Sequence, residues 1–303
     1  MAVVEALQAV THTRENHDFH ESFGHVHVHI SAETRVAEFV IDPPHRPNFS
    51  RPLLTSLQRA QRYMAEHYHR PWFEPYRFDL LVWRATHPEA FNLGGDLQFF
   101  LRCLETNDAE AMRSYGRQCV DVVYTNYASM GLPVLTVADI HADCLGGGFE
   151  AAMSCDVILA HPRARFGFPE TLFNLFPGMG ATAFLSRRVS AHVAKQMVLD
   201  GKVLAPDASL EAGLVDKVLS FGEGETLRAE RDSNRAVKQL QRRVISERYA
   251  RHALKKSYAI SRAELIETVD DWAEAAMQLP PEDIRRMKRF ATAQARLEKS
   301  AVH

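Results

Sequence analysis

The feature that most constrains this chain is a recurring order of segments: a short apolar run, a glycine-bearing loop, then a helical stretch. FDLLVWR (78–84) precedes the loop HPEAFNLGGD (87–96), after which Asp96 can cap a helix through LQFFLRCLE. PVLTVAD (133–139) runs into the triplet Gly146-Gly147-Gly148 and a helix, and DVILAH (156–161) is a further buried-strand candidate. Short apolar runs alternating with helices argue for an α/β fold with a largely parallel sheet. Ahead of them, HVHVHI (25–30) alternates strictly and RVAEFVI (35–41) alternates over much of its length, with SAET between them, which predicts a two-stranded antiparallel start. Ser50 and Pro52 mark a helix entry, with Leu53, Leu57, Ala60 and Met64 at helical spacing until Pro71. A long amphipathic helix is expected around residues 108–130. After FGEGE (221–225) the pattern turns wholly helical. There Ser261 with Glu264 forms a capping box ahead of Leu265, Val269, Trp272 and Ala276. The expected organisation is a polar, His-rich extension over 1–24, a core over 25–220 and a helical C-terminal region over 221–303.

Composition excludes several function classes. A net charge of −2 over 303 residues gives no general electrostatic reason to bind nucleic acid or anionic lipid. No apolar run approaches the ~20 residues that span a bilayer, and the first residues carry acids rather than the basic start of a secretory leader. Cys103, Cys119, Cys144 and Cys155 form no CxxC pair and read as reduced thiols. A soluble, cytoplasmic protein is expected.

The chemistry centres on CLGGGFEAAMSCD (144–156). Glycine lets the chain turn sharply and lets a ligand approach the main chain. Where such a turn opens a helix, the first amides have no intrahelical partner and point outward with the helix dipole behind them. Gly147 and Glu150 are three residues apart and share a helix face, so the Glu150 carboxyl is expected near whatever the Gly147 amide holds. On this motif alone a second reading stays open: the glycines permit tight strand-to-helix packing and Glu150 is solvated. Two more stretches weigh against it. NLGGDL (92–97) offers a second backbone donor at Gly95, and FGFPE (166–170) sets Glu170 after an apolar, proline-bounded turn. Two amides and two carboxyls are a set for enolate chemistry on a thioester. The amides hold the oxygen as charge develops, and one carboxyl moves the α-proton while the other serves the β-position.

These residues carry a resemblance. LTVADIHADCLGGGFEAAMSCDVILAHPRARFGFPE (135–170), LFPGMGAT (175–182) and DGKVLAPDASLEAGLVDKV (200–218) resemble the crotonase (enoyl-CoA hydratase/isomerase) superfamily over most of residues 25–220. The resemblance implies a repeated ββα spiral core with a helical C-terminal appendage. It also implies Gly95 and Gly147 as oxyanion-hole amides, Glu150 and Glu170 as the catalytic pair, and no cofactor. FNLGGDLQFF, GGGFEAA and FPGMGAT, with LGGD (93–96) and Met179 where ordinary hydratases have AGAD and alanine, are similar to the diffusible signal factor synthases of Gram-negative bacteria. That branch implies dehydration of a 3-hydroxyacyl chain on acyl carrier protein to the cis-2-enoyl form, followed by release of the free acid as a quorum-sensing signal. Trimers or hexamers are the family expectation, with a signal-receptor regulatory protein as a further partner. Two rival functions remain: an enoyl-CoA hydratase or isomerase of fatty-acid metabolism, and a non-catalytic acyl-binding regulator acting through its helical tail. Leu145, Phe168, Met179 and Trp272 are candidates for an acyl pocket, each with core packing as the alternative.

Four other motifs are weighed and set aside. GMGATA (178–183) fits a dinucleotide pattern but follows Pro177 rather than a strand. His25, His27 and His29 share a strand face without a carboxylate or thiol at ligand spacing, so no metal is expected. Cys144 has no evident base beside it. RAERDSNRAVKQLQRR (228–243) mixes signs and reads as a solvated helix face.

Overall fold

The computed structural model describes residues 18–219 and 225–297. The boundary expected near residue 220 and most of the N-terminal extension lie outside these residues. The chain forms two sheets. The larger orders its strands β1 (Phe19–Ser22), β2 (Val26–Ser31), β3 (Val36–Ile41), β4 (Leu80–Ala85), β6 (Leu135–Ile140), β8 (Val157–Ala160) and β11 (Lys217–Val218). The smaller orders β10 (Val203–Leu204), β9 (Phe166–Gly167), β7 (Asp143–Leu145) and β5 (Ala90–Asn92). From β3 to β11 the large sheet is parallel, and β5, β7 and β9 run parallel in the small one.

Each spiral turn places one strand in each sheet and then a helix or helical turn. β4 and β5 lead to α2 (Leu97–Thr106), β6 and β7 to α4 (Gly147–Met153), and β8 and β9 to the 3-10 turn Pro169–Phe173. The expected α/β fold with a repeated ββα core is what the chain adopts. Two local expectations need correction. The start is three-stranded, because β1 pairs antiparallel with β2 from within the stretch expected to be an extension. Its Phe19 is buried among Tyr63, Phe73 and Tyr76, and that burial holds a strand the local pattern does not announce. PVLTVAD also does not run straight into the glycines: β7 intervenes and carries the triplet into the small sheet.

Caps fix the helices where the sequence sets them. Ser50 Oγ accepts from Leu53 N at the start of α1 (Arg51–His67), Asp96 Oδ1 from Phe99 N at α2, and Ser261 Oγ from Glu264 N at α10 (Arg262–Met277). The long helix α3 (Ala109–Tyr127) has Asp108 Oδ1 accepting from Ala111 N. The C-terminal region is helical as expected, and its last two helices join the core. Leu265, Val269, Trp272, Ala276, Met287 and Ala291 belong to the same apolar core as the sheets. α10 lies along α3, where Gly116 admits Val269 so closely that a Cβ would sit 2.5 Å from its Cγ2, and α11 (Pro281–Leu297) packs on α2. No helix among the described residues is long and apolar enough to cross a membrane.

Candidate active site

The two glycine loops meet because β5 and β7 are parallel neighbours. Gly94 has φ +87°, and a Cβ there would lie 2.7 Å from the Gly147 amide nitrogen, so the loops touch backbone to backbone. Each glycine of the triplet has its own reason. Gly146 has φ +54°, and a Cβ on it would strike Glu170 Oε1 at 2.4 Å. A Cβ on Gly147 would meet Met179 Sδ at 2.5 Å, and one on Gly148 the Asn92 carbonyl oxygen at 2.2 Å.

Gly147 opens α4, where an amide has no intrahelical acceptor. Gly95 bridges to Phe49 through the preceding residue, the Phe49 amide donating to the Gly94 carbonyl at 2.8 Å. Among the described residues, neither the Gly95 nor the Gly147 amide donates to a protein acceptor. The Gly95 loop is braced on both sides. Asn92 Oδ1 accepts from Gly94 N at 2.8 Å. The buried Tyr115 hydroxyl accepts from Asp96 N at 3.1 Å while donating to the Phe49 carbonyl at 2.6 Å.

Both carboxyls converge on a cavity of about 610 Å³ that Gly95 and Gly147 also line. Glu150 is buried, and its Oε1 accepts from Met179 N at 2.7 Å and Ala181 N at 2.8 Å, at the start of α5 (Ala181–Arg188). Burial pushes its pKa up to about 7, and these amides hold it from rising further. Glu170 sits in the 3-10 turn with Oε2 buried and, among the described residues, without a hydrogen-bond partner. Burial first, then the neighbouring Glu150 charge, pushes it up to about 8. The pair therefore passes through a state holding one proton, with the ionised form favoured on Glu150, where donors meet it. A base and an acid then coexist around neutral pH beside two amides.

Leu145, Met179 and Trp272 line the cavity. Trp272 is both core and wall: it is buried, meets Phe100 edge-on at 5.0 Å, and sits where a Cβ on Gly178 would come within 2.3 Å of its Cγ. Phe168 is not a pocket residue. It is fully buried behind the site and stacks on Phe149 at 5.4 Å, because a residue after the short β9 turns into the core beneath α4. Sequence reasoning missed Phe100, Tyr115, Val269, Phe173 and Phe290 as wall residues. All five occupy apolar helical positions whose pattern reports burial but not what they are buried against.

The motifs set aside find other places. GMGAT is the turn whose amides hold Glu150. His27 and His29 lie on the polar face of β2, near Asp42 and Asp18 respectively, and the described residues hold no group of three or more metal-ligating side chains. Cys144 is buried, and burial pushes its thiol up, away from thiolate chemistry.

Residues 80–259, more than half of the chain, match the sequence pattern of the family described as enoyl-CoA hydratase/isomerase. The chain belongs to the enoyl-CoA hydratase/isomerase family. Its fold is similar to that of an enoyl-CoA hydratase from Bacillus halodurans, with TM-score 0.72 and 21% identity over 88% of this chain and 100% of that one. It is also similar to an enoyl-CoA hydratase from Mycobacterium avium subsp. paratuberculosis, with TM-score 0.67 and 19% identity over 89% and 96%. Human mitochondrial delta3-delta2-enoyl-CoA isomerase gives TM-score 0.70 and 16% identity over 91% and 99%. At these identities the likeness to the solved structures is one of fold. The family membership and the site geometry both describe an enzyme-like scaffold around a cavity of about 610 Å³.

Proposed function

We propose that this protein dehydrates a 3-hydroxyacyl thioester and then hydrolyses the product, releasing a free cis-2-unsaturated fatty acid as a diffusible signal, with acyl carrier protein as the carrier. The observation that carries the dehydration is the convergence of Glu150, Glu170 and the two unengaged amides of Gly95 and Gly147 on one cavity. In that step the ionised carboxyl takes the α-proton, and the amides hold the enolate oxygen. As the enolate collapses to the double bond, the β C–O bond breaks and the neutral carboxyl protonates the leaving hydroxyl as water. The two carboxyls exchange protonation states, which pKa values of about 7 and about 8 make easy in either direction. Hydrolysis reuses the parts. A carboxylate takes a proton from attacking water, the amides hold the tetrahedral oxygen, and the C–S bond breaks with the proton leaving on the thiol.

The same pair run in reverse adds water to an enoyl-CoA, and the family match favours that hydratase reading equally. One assay separates them. Purified protein receives 3-hydroxyacyl chains on carrier protein and on CoA, and mass spectrometry follows the products. Free cis-2-enoic acid, abolished by Glu150→Gln and by Glu170→Gln, supports the synthase. Interconversion of 3-hydroxyacyl and trans-enoyl CoA with no free acid selects the hydratase.

A further inference from the structure

The helix α8 (Glu225–Arg242), which reads in sequence as a mixed-sign solvated face, presents a run of basic residues over 231–242. Arg231, Asn234, Arg235, Lys238, Gln239 and Arg242 line one open surface groove of about 500 Å³: four cations, two amides and no carboxylate. The spacings of four, three and four residues set the cations in one row along the helix. At ~1.5 Å per residue that row is roughly 16 Å long. Ala236 and Val237 on the opposite face are buried against the outer side of the large sheet. The row is held in register by polar ties: Asn234 Oδ1 accepts from Arg84 Nη2 at 3.0 Å, Gln239 Oε1 accepts from Lys217 Nζ at 3.0 Å, and Ser233 donates to Asp139. None of the four cations makes an ion pair among the described residues. A basic row without an ion-pair partner among the described residues stands out on a chain whose net charge is −2.

Its position relates it to the cavity. Ser233 meets Asp139 at the carboxyl end of β6, and the cavity-lining Asp143 follows four residues on, within at most ~14 Å of extended chain. The amino end of the row thus lies at the edge from which the cavity loops depart.

We propose that this row is the docking surface for the acidic helix of the acyl carrier protein, placing its thioester arm at the cavity mouth. This rests on the carrier-protein reading above. Complementary charge in a row favours one orientation of encounter and weakens with salt.

Two measurements test it. Titration calorimetry with unacylated holo carrier protein reads docking without chemistry. The wild type binds with an affinity that falls as salt rises, and Arg235→Glu/Lys238→Glu weakens it at least about tenfold. Steady-state kinetics then compares one acyl chain on carrier protein and on pantetheine. The double variant raises KM at least about tenfold on carrier protein and leaves both constants unchanged on pantetheine, which also shows that it is folded. The proposal is overturned by absent binding, by binding that charge reversal does not alter, by equal losses on both substrates, or by heparin competing as strongly as any acidic protein. If carrier protein binds as expected but neither thioester is turned over, the docking surface stands and the proposed chemistry is what fails.

Discussion

Glu170→Gln should make the protein more stable as it makes it inactive, and increasingly so as pH rises. The carboxyl titrates at about 8 in the folded chain against an ordinary value of 4.5. An acid raised in this way holds its proton more tightly folded than unfolded. Its contribution to stability is complete below pH ~4.5, declines as pH climbs toward 8, and levels off above it. At about 1.4 kcal/mol per tenfold change in proton concentration, the full penalty approaches ~5 kcal/mol. Glu170 is partly exposed at its rim, where water screens the charge, so we expect ~2–3 kcal/mol. Glutamine has nearly the same shape and no proton to lose. The protonated acid places one donor, and the amide two, at an oxygen position without a protein partner among the described residues, an offset that does not change with pH and so leaves the widening between the two curves intact. Thermal melts of both proteins from pH 5 to pH 9 read the effect. For a chain of this size roughly 2–4 °C accompanies each kcal/mol, so the advantage of Glu170→Gln should widen by about 5 °C or more across that range. Parallel Tm curves would refute the claim that Glu170 is held against ionisation.

The remaining predictions concern turnover and packing. Catalysis by a pair holding one proton should peak between pH ~7 and ~8. Activity is lost below as both carboxyls protonate and above as both ionise, and a kcat/KM profile flat from pH 5 to 9 would exclude the pair. Gly148→Ala places a Cβ 2.2 Å from a backbone oxygen in the adjoining loop, and should cost more than about 2 kcal/mol in a urea titration. Gly147→Ala meets the flexible Met179 thioether instead. It should fold but lose about 100-fold or more in kcat, because the added group crowds the amide. Tyr115→Phe removes the hydroxyl bracing the Gly95 loop and should lower kcat about tenfold with KM little changed. The carbonyl stretch of a bound acyl thioester should then shift less than in the wild type.

Much of the site was legible because its parts are local. A glycine triplet at a helix start, a glutamate three residues on and a proline-bounded turn each announce their backbone geometry within a few residues, and caps such as Ser50, Asp96 and Ser261 do the same for helix starts. Three kinds of feature were not legible. β1 depends on Phe19 finding an aromatic cluster distant in sequence. Phe168 and Phe100 are both apolar near glycine loops, yet one faces the core and the other the cavity. GMGAT could be set aside as a dinucleotide loop from Pro177 alone, yet nothing local says that its amides turn to Glu150.

By itself, then, the sequence determined the alternating α/β architecture and marked Gly95, Gly147, Glu150 and Glu170 as candidates, since period, glycine and cap chemistry act over short range and the resemblance supplies their roles. Only the tertiary structure decided that β5 and β7 lie side by side, bringing the Gly95 and Gly147 loops into contact. Only folding removed Glu150 and Glu170 from water and so raised both pKa values. It also folded α10 and α11 against α3 and α2 as a wall of the cavity, and gathered Arg231, Arg235, Lys238 and Arg242 along one groove. Strand neighbours, desolvation and shared faces join residues far apart in the chain, and no local pattern encodes which distant residue will be there.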